Sequence, residues 1–467
     1  MSTEFDAIVL GGGPGGYPCA IRLGQLGQSV ACIEEEEYGG VCLNWGCIPS
    51  KALISNAHLY HKAHDADEVG LSFGAVKLDV PKMQTWKNGI VKKLTGGVRT
   101  LLKANGATVV EGRGRLLDAK TVQVEGKGGK QTLTAKKAIV IATGSATIQV
   151  PGFEFDGKRI IGARQAVSLD RVPKRLVVVG GGVIGLELGM VYQTFGAELT
   201  VVELTPSLLP GTDPEAVKVV ERTLKKRGAK IYTETRADGY EVVGDAVRVK
   251  LQTKAGAETV ECDQVLVAVG MKPRSRDIGL EALGVTIDPR GFIPTNDVCQ
   301  TNVPGIYAIG DVSGPPMLAH KATKEGEVCA EVIAGHKAGK DWMSIPGIIF
   351  TDPEIATAGM SEAEATAQGH KVKLGKFPFS ALGRAMSIRE TDGFVKVVTD
   401  AETKRVLGVT VVGPSASDLI SEAMLAVEMT ASAEDLALTV HPHPTLGEAM
   451  MEASAAALGQ AIHIPNR

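Results

Sequence analysis

The sequence predicts an α/β chain built on two Rossmann-like dinucleotide-binding domains, and three observations say so. Residues 6–34 and 175–203 align without a gap, 169 positions apart, each reading as strand, glycine turn, helix, loop and strand. Three further short apolar runs, 139–144, 265–270 and 306–311, end in or just after a glycine, as strands of an open parallel sheet do. Glycine itself makes up 56 of the 467 residues, well above the usual share of about 7%. That excess points to tight turns and close backbone approaches to ligands.

In the first copy Gly11, Gly13 and Gly16 follow the opening strand, and in the second Gly180, Gly182 and Gly185 take the same places. The three glycines of such a fingerprint supply a tight turn, room for a pyrophosphate and a close helix-on-strand contact. The phosphate then rests on the helix N-terminus. Glu34 and Glu203 each stand 23 residues beyond the first glycine, at the end of the second strand, where a carboxylate receives both ribose hydroxyls. A single glycine fingerprint is weak evidence; two complete copies with their terminal acids are strong evidence.

Eight residues after Glu34 comes Cys42-Leu-Asn-Trp-Gly-Cys47, followed by Ile48-Pro49-Ser50-Lys51. Two cysteines at this spacing cross-link only if their alpha carbons approach to about 4.4–6.8 Å, so a distorted turn is expected. Pro49 fits the first turn of a helix, whose N-terminal positive charge lowers the pKa of a nearby thiol. A redox-active disulfide is the expectation. The first copy must then hold the group that exchanges electrons with it, a flavin, and the second copy a nicotinamide. Glu203 repels a 2′-phosphate, so the expected nicotinamide cofactor is NAD, not NADP. Gly144 and Gly270 close the two nucleotide domains, and Asp311, after Gly310 at a strand end, is placed to bond the flavin ribityl or phosphate region.

Disulfide exchange with a dithiol needs a base near neutral pH, and an imidazole with a pKa of about 6.5 suits the task. His443 is the candidate, with Glu448 five residues on to hold one ring nitrogen; by spacing alone His441 competes.

The opening GGGPGG, the GGVCLNWGCIPSK segment, the second GGGVIG, the AIGD run and HPHPTLGE together resemble the class I pyridine nucleotide-disulfide oxidoreductases, over essentially the full chain. Ile48 to Lys51 and His443 to Leu446 are most similar to the branch that oxidises dihydrolipoamide. The resemblance implies FAD and NAD as cofactors and a C-terminal α+β dimerisation domain. It implies that Cys42 is the interchange thiol, that Cys47 contacts the flavin, and that Lys51 lies near it, paired with Glu187. It also makes His443, not His441, the base, acting on the disulfide of the opposite subunit of a homodimer. Lipoyl-bearing acyltransferase subunits or a glycine-cleavage lipoyl carrier are the implied partners, and another flavin disulfide or quinone reductase is the alternative activity. The expected organisation is a flavin domain over 1–145, a nicotinamide domain over 146–275, a central region over 276–345 completing the flavin site, and a dimerisation domain over 346–467.

Four positions depart from the family pattern. Val41 replaces a common Thr, and Trp45 stands where Val is frequent. Pro18 falls in the first turns of the opening helix, where it costs little only if it precedes the first intrahelical donor. Gly447 predicts a looser loop between His443 and Glu448. Elsewhere, 50 basic against 53 acidic residues offer no footprint for nucleic acid or an anionic membrane. No apolar run approaches the roughly 18 residues of a spanning helix, and the expected compartment is the cytoplasm or, after processing, the mitochondrial matrix. His58, His61 and His64 read as a solvated helix face without a metal. Cys32, Cys262, Cys299 and Cys329 read as small apolar packing residues.

Overall fold

The computed structural model describes residues 3–466, and its first sheet grows from the opening strand Glu4–Leu10. Residues 7–10 of that strand are buried on both faces, as a central strand of a parallel sheet requires. Val30–Glu34 and then Thr108–Glu111 pair parallel to it on one side. On the other side runs the long strand Gly129–Ile141, which serves two partners in turn. Its first half pairs antiparallel with Thr121–Gly126, and its buried second half pairs parallel with both Glu4–Leu10 and Ile306–Ala308. Ile306–Ala308 thereby delivers the Asp311 turn to the same sheet edge as the first glycine turn.

The chain divides into two compact units. One gathers Met1–Val150, Gly162–Arg171 and Gly270–Asp341, and the other Pro151–Ile161, Val172–Val269 and Trp342–Arg467. In the first unit, helix Gly16–Gln25 lies against helix Ala319–Ile333. Gly326 permits this, since a Cβ there would stand 2.5 Å from the Gly15 carbonyl oxygen and 3.4 Å from the Cys19 Cβ. Cys19, Cys32, Cys299 and Cys329 sit in the apolar core behind these helices, as small hydrophobes.

The second unit repeats the parallel motif in the order Lys230–Tyr232, Glu198–Val202, Arg175–Val179, Gln264–Val267, Ile160–Ile161. Its helix Val183–Thr194 is buried continuously from Gly185 to Gln193, so it reads apolar all round rather than as a stripe. The remainder is α+β. Five antiparallel strands run in the order Gly347–Ile349, Glu354–Gly359, Val406–Gly413, Phe394–Asp400, Val372–Pro378. Helices Ala416–Glu428 and Glu448–Leu458 cover them. The second helix packs at backbone distance on Gly375, where a Cβ would lie 1.9 Å from the Ala453 carbonyl oxygen. Among the described residues no helix is long and apolar enough to cross a membrane.

Candidate functional site

The two glycine turns are superimposable in their demands. Gly11 and Gly180 both have φ of +108°, a conformation an L side chain resists, and a Cβ on either would strike a carbonyl of the neighbouring strand end, Ala142 or Ala268. Gly16 and Gly185 would collide with the carbonyl of the first glycine at 1.8 and 2.2 Å. The middle glycine differs in kind. A Cβ on Gly13 meets only the Gly40 Cα at 3.7 Å, and one on Gly182 meets nothing within 4 Å. The fold itself does not require glycine at these two places, and the space beside each backbone is open. That open cradle fits a pyrophosphate in each copy.

Both acids are bound into the turns they serve. Glu34 accepts from the Gly12 amide at 2.7 Å and the Glu36 amide at 2.8 Å, and Glu203 accepts from Gly181 at 2.6 Å and Thr205 at 2.7 Å. Burial pushes the Glu34 carboxyl up, against the pull of its two amides.

Pro18 does not precede the first intrahelical donor. Tyr17 already donates its amide to the Gly13 carbonyl at 3.0 Å, so Pro18 removes the bond that would reach Pro14. The Thr323 hydroxyl fills the gap, standing 3.0 Å from the Pro14 oxygen and 3.0 Å from Ala319 of its own helix.

The cysteine loop is distorted as its spacing requires. Gly39 and Gly40 both have positive φ, and a short helix, Gly40–Asn44, carries Cys42. The amides of Trp45 and Gly46 then both converge on the Val41 carbonyl, at 3.0 and 2.7 Å, before helix Cys47–His64 begins at Cys47 itself. Asn44 braces the turn through the Gly40 and Tyr38 carbonyls. Cys42 and Cys47 are half-buried thiols in contact with each other. The expected lowering of the thiol pKa is reversed at Cys42. The Cys47 thiol and burial hold it well above the ordinary range, outweighing the Cys47 amide and the Lys51 charge, which pull the other way. Two sulfurs this close titrate as one unit.

Asp311 lies in the Gly310–Val312 turn, where its carboxylate accepts from the Ser145 hydroxyl at 2.6 Å. Burial raises its pKa, and Ser145 and Lys321 draw it back. Gly144, with φ of +67°, precedes strand Ser145–Thr147, and Gly270, with φ of +118°, precedes its antiparallel partner Met271–Pro273. Glu187, in the second unit, is buried and accepts from the Phe350 amide at 2.9 Å.

The two histidines of the C-terminal loop have separate fates. His441 has both nitrogens engaged, by the Thr439 carbonyl and Glu422, each at 2.8 Å, and its side chain is 6% exposed. His443 is 79% exposed; its Nδ1 meets Glu448 at 2.9 Å, which leaves Nε2 facing outward. Glu448 also accepts from the Thr445 amide at 2.8 Å, so the loop beside Gly447 is stapled rather than loose. Burial would raise Glu448, but the Thr445 amide and His443 outweigh it and hold the carboxyl below its usual range.

Several neighbours escape a reading of motifs. Tyr17, from the first glycine helix, lies within electrostatic reach of Cys42, and Arg164 stacks over Trp45 at 5.8 Å while pairing with Glu36 at 3.0 Å. Of the histidines on the Cys47–His64 helix, His61 lies 3.6 Å from Asp65 and His64 packs edge-on against Tyr60. Among the described residues no three His, Cys, Asp or Glu side chains converge as a metal site.

The pyridine nucleotide-disulphide oxidoreductase model matches residues 5–326, and the dimerisation-domain model of that family matches residues 345–454. Dihydrolipoyl dehydrogenase of Bacillus subtilis is 47% identical, with 99% of this chain and 98% of the relative aligned. That of Thermus scotoductus is 48% identical over 99% of each chain. Among solved structures, LpdA of Mycobacterium tuberculosis superposes with a TM-score of 0.90 at 28% identity, covering 97% of this chain and 99% of its own.

Proposed function

Because the chain belongs to the pyridine nucleotide-disulphide oxidoreductase family, we propose that it is an NAD-dependent dihydrolipoyl dehydrogenase. The observation that carries this reading is the contact of the Cys42 and Cys47 thiols at the head of a helix, beside an open glycine cradle. Full-length relatives of that name at nearly half identity support the substrate.

In this reading the cycle starts with Cys42 and Cys47 joined as a disulfide. His443 Nε2 takes the proton of one dihydrolipoamide thiol, while Glu448 fixes the ring through Nδ1. The substrate thiolate attacks the Cys42 sulfur, forming a mixed disulfide and breaking the Cys42–Cys47 bond, so that Cys47 leaves as thiolate. The second substrate sulfur then attacks its own partner sulfur in the mixed disulfide. Lipoamide departs: the proton that His443 had held passes to the Cys42 sulfur as it leaves as a thiol, and the second substrate thiol gives its own proton to the freed imidazole, so that both substrate protons stay on Cys42 and His443. The substrate has lost two electrons and the cysteine pair has gained them. Gly11, Gly13, Gly16, Glu34, Gly144, Gly310 and Asp311 would hold FAD, which when bound would supply the two-electron acceptor, and Gly180, Gly182, Gly185, Glu203 and Gly270 would hold NAD, the hydride acceptor. Lys51 favours thiolate at the pair through its charge.

The reading requires a homodimer, in which His443 serves the disulfide of the opposite subunit. In support, Leu438, Val440 and Ile462 stand 82%, 93% and 80% exposed in the segment that matches the dimerisation domain or just beyond it, an apolar display costly in water. A lipoyl-bearing acyltransferase subunit or glycine-cleavage carrier is the partner this chemistry serves, in a thiol-reducing compartment such as the cytoplasm. The test is steady-state reduction of NAD and of NADP by dihydrolipoamide, with glutathione disulfide and NADPH as control. Turnover with NAD is expected. Turnover confined to NADPH and glutathione disulfide would contradict the assignment.

A further inference from the structure

Lys321 and Glu325 form an ion pair at 3.2 Å on helix Ala319–Ile333, with side chains only 6% and 3% exposed, and nothing in the disulfide chemistry uses them. A buried ion pair is poor support for stability on its own, since well-packed apolar residues of similar volume do as well or better. Its retention here calls for another account, and its partners provide one. The Lys321 ammonium reaches the carbonyls of Gly310 at 3.2 Å and Gly314 at 2.9 Å, and the Ser313 hydroxyl at 3.4 Å. Glu325 accepts from the Gly310 amide at 2.7 Å and the Ser313 hydroxyl at 3.2 Å. Every one of these partners belongs to the five-residue turn that bears Asp311. Gly310 holds φ of +76°, and a Cβ on it would press to 3.2 Å on Ala322 of the same helix. The helix also grips the first glycine turn, through Thr323 to the Pro14 carbonyl and through Gly326 against Gly15. One rigid element therefore fixes two turns of one cradle.

We propose that helix Ala319–Ile333 is the positioning element of the flavin cradle, and that Lys321 and Glu325 act as a matched pair that holds the Asp311 turn in its ligand-binding shape. The proposal rests on the flavin reading above. Lys321 and Glu325 are positioning residues: they touch no reacting atom and act through the 310–314 turn.

The experiment compares the full-length wild type with Lys321→Met, Glu325→Gln and the double variant Lys321→Met/Glu325→Leu. Three readouts are taken: the Kd for FAD of the deflavinated protein from quenching of flavin fluorescence, the visible spectrum of bound flavin, and thermal unfolding without flavin. Lys321→Met leaves a buried carboxylate uncompensated and is expected to lower both flavin affinity and Tm. The double variant recovers Tm but not affinity, because the Gly310 amide still lacks its acceptor; its Kd stays raised about tenfold or more, with a shifted flavin spectrum. A double variant that regains wild-type Kd and spectrum, or a set of variants all within about twofold of wild type, overturns the proposal. If Lys321→Met does not fold, the double variant still decides. A wild type that takes up no FAD would overturn the flavin reading first, and this proposal with it.

Discussion

His441 and His443 stand two residues apart and differ in what their surroundings leave them free to do. His443→Ala is expected to cut dihydrolipoamide turnover by about 10²–10⁴-fold with little change in Tm, since the ring is exposed and its loss leaves no buried group orphaned. His441→Ala is expected to cost about 1 kcal/mol of stability, because it removes a packed ring and its bonds to Glu422 and the Thr439 carbonyl, while turnover falls far less. Steady-state rates beside thermal melts of the two variants check both halves. The pattern of two histidines around Pro442 was legible in the sequence, but the division of labour was not. It depends on Glu422, 19 residues upstream on a packed helix, which no local spacing reveals. The Cys42 thiol teaches the same point. A helix N-terminus was legible and does pull its pKa down, yet a second sulfur in contact reverses the sum.

At the scale of elements, the opening helix shows how a sequence rule is broken and mended. Pro18 deletes a first-turn hydrogen bond, and Thr323, 309 positions from the Pro14 carbonyl it serves, replaces it. Thr323→Val is therefore expected to cost about 1 kcal/mol in wild type and less in a Pro18→Ala background, where the helix amide returns. A double-mutant cycle of denaturant midpoints measures the difference; equal costs in the two backgrounds would contradict the compensation. The repeat itself was fully legible because each demand, a positive φ at Gly11 and Gly180 or a collision at Gly16 and Gly185, is met by one residue type. The mending contact was not, since it joins segments that only the fold brings together.

Across a whole unit, charge ties the second nucleotide sheet to the C-terminal sheet. Lys396, buried on strand Phe394–Asp400, meets Asp213 and Glu215 at the start of helix Pro214–Lys226. Lys376 and Lys396 draw the Glu215 pKa down to about 2. A depressed carboxyl contributes stability that is fully present above its unfolded value of 4.5 and is lost as pH falls toward 2. The stability deficit of Glu215→Gln relative to wild type is thus expected at neutral pH and should close across that window; thermal unfolding against pH checks it. A deficit that stays constant down to about pH 2 would contradict the assignment. Such long-range pairs were invisible to motif reading, whereas the two parallel sheets were visible in the repeated glycine motif and the C-terminal α+β part through the family resemblance.

The central claim, that a Cys42–Cys47 couple passes electrons from dihydrolipoamide toward NAD, is tested most directly by anaerobic NADH formation from dihydrolipoamide in wild type, Cys42→Ser and Cys47→Ser. The wild type should turn over, and each flavin-loaded serine variant should fall by about 10³-fold or more, since neither can complete disulfide exchange. NADH formation at wild-type rate in either variant would contradict the account.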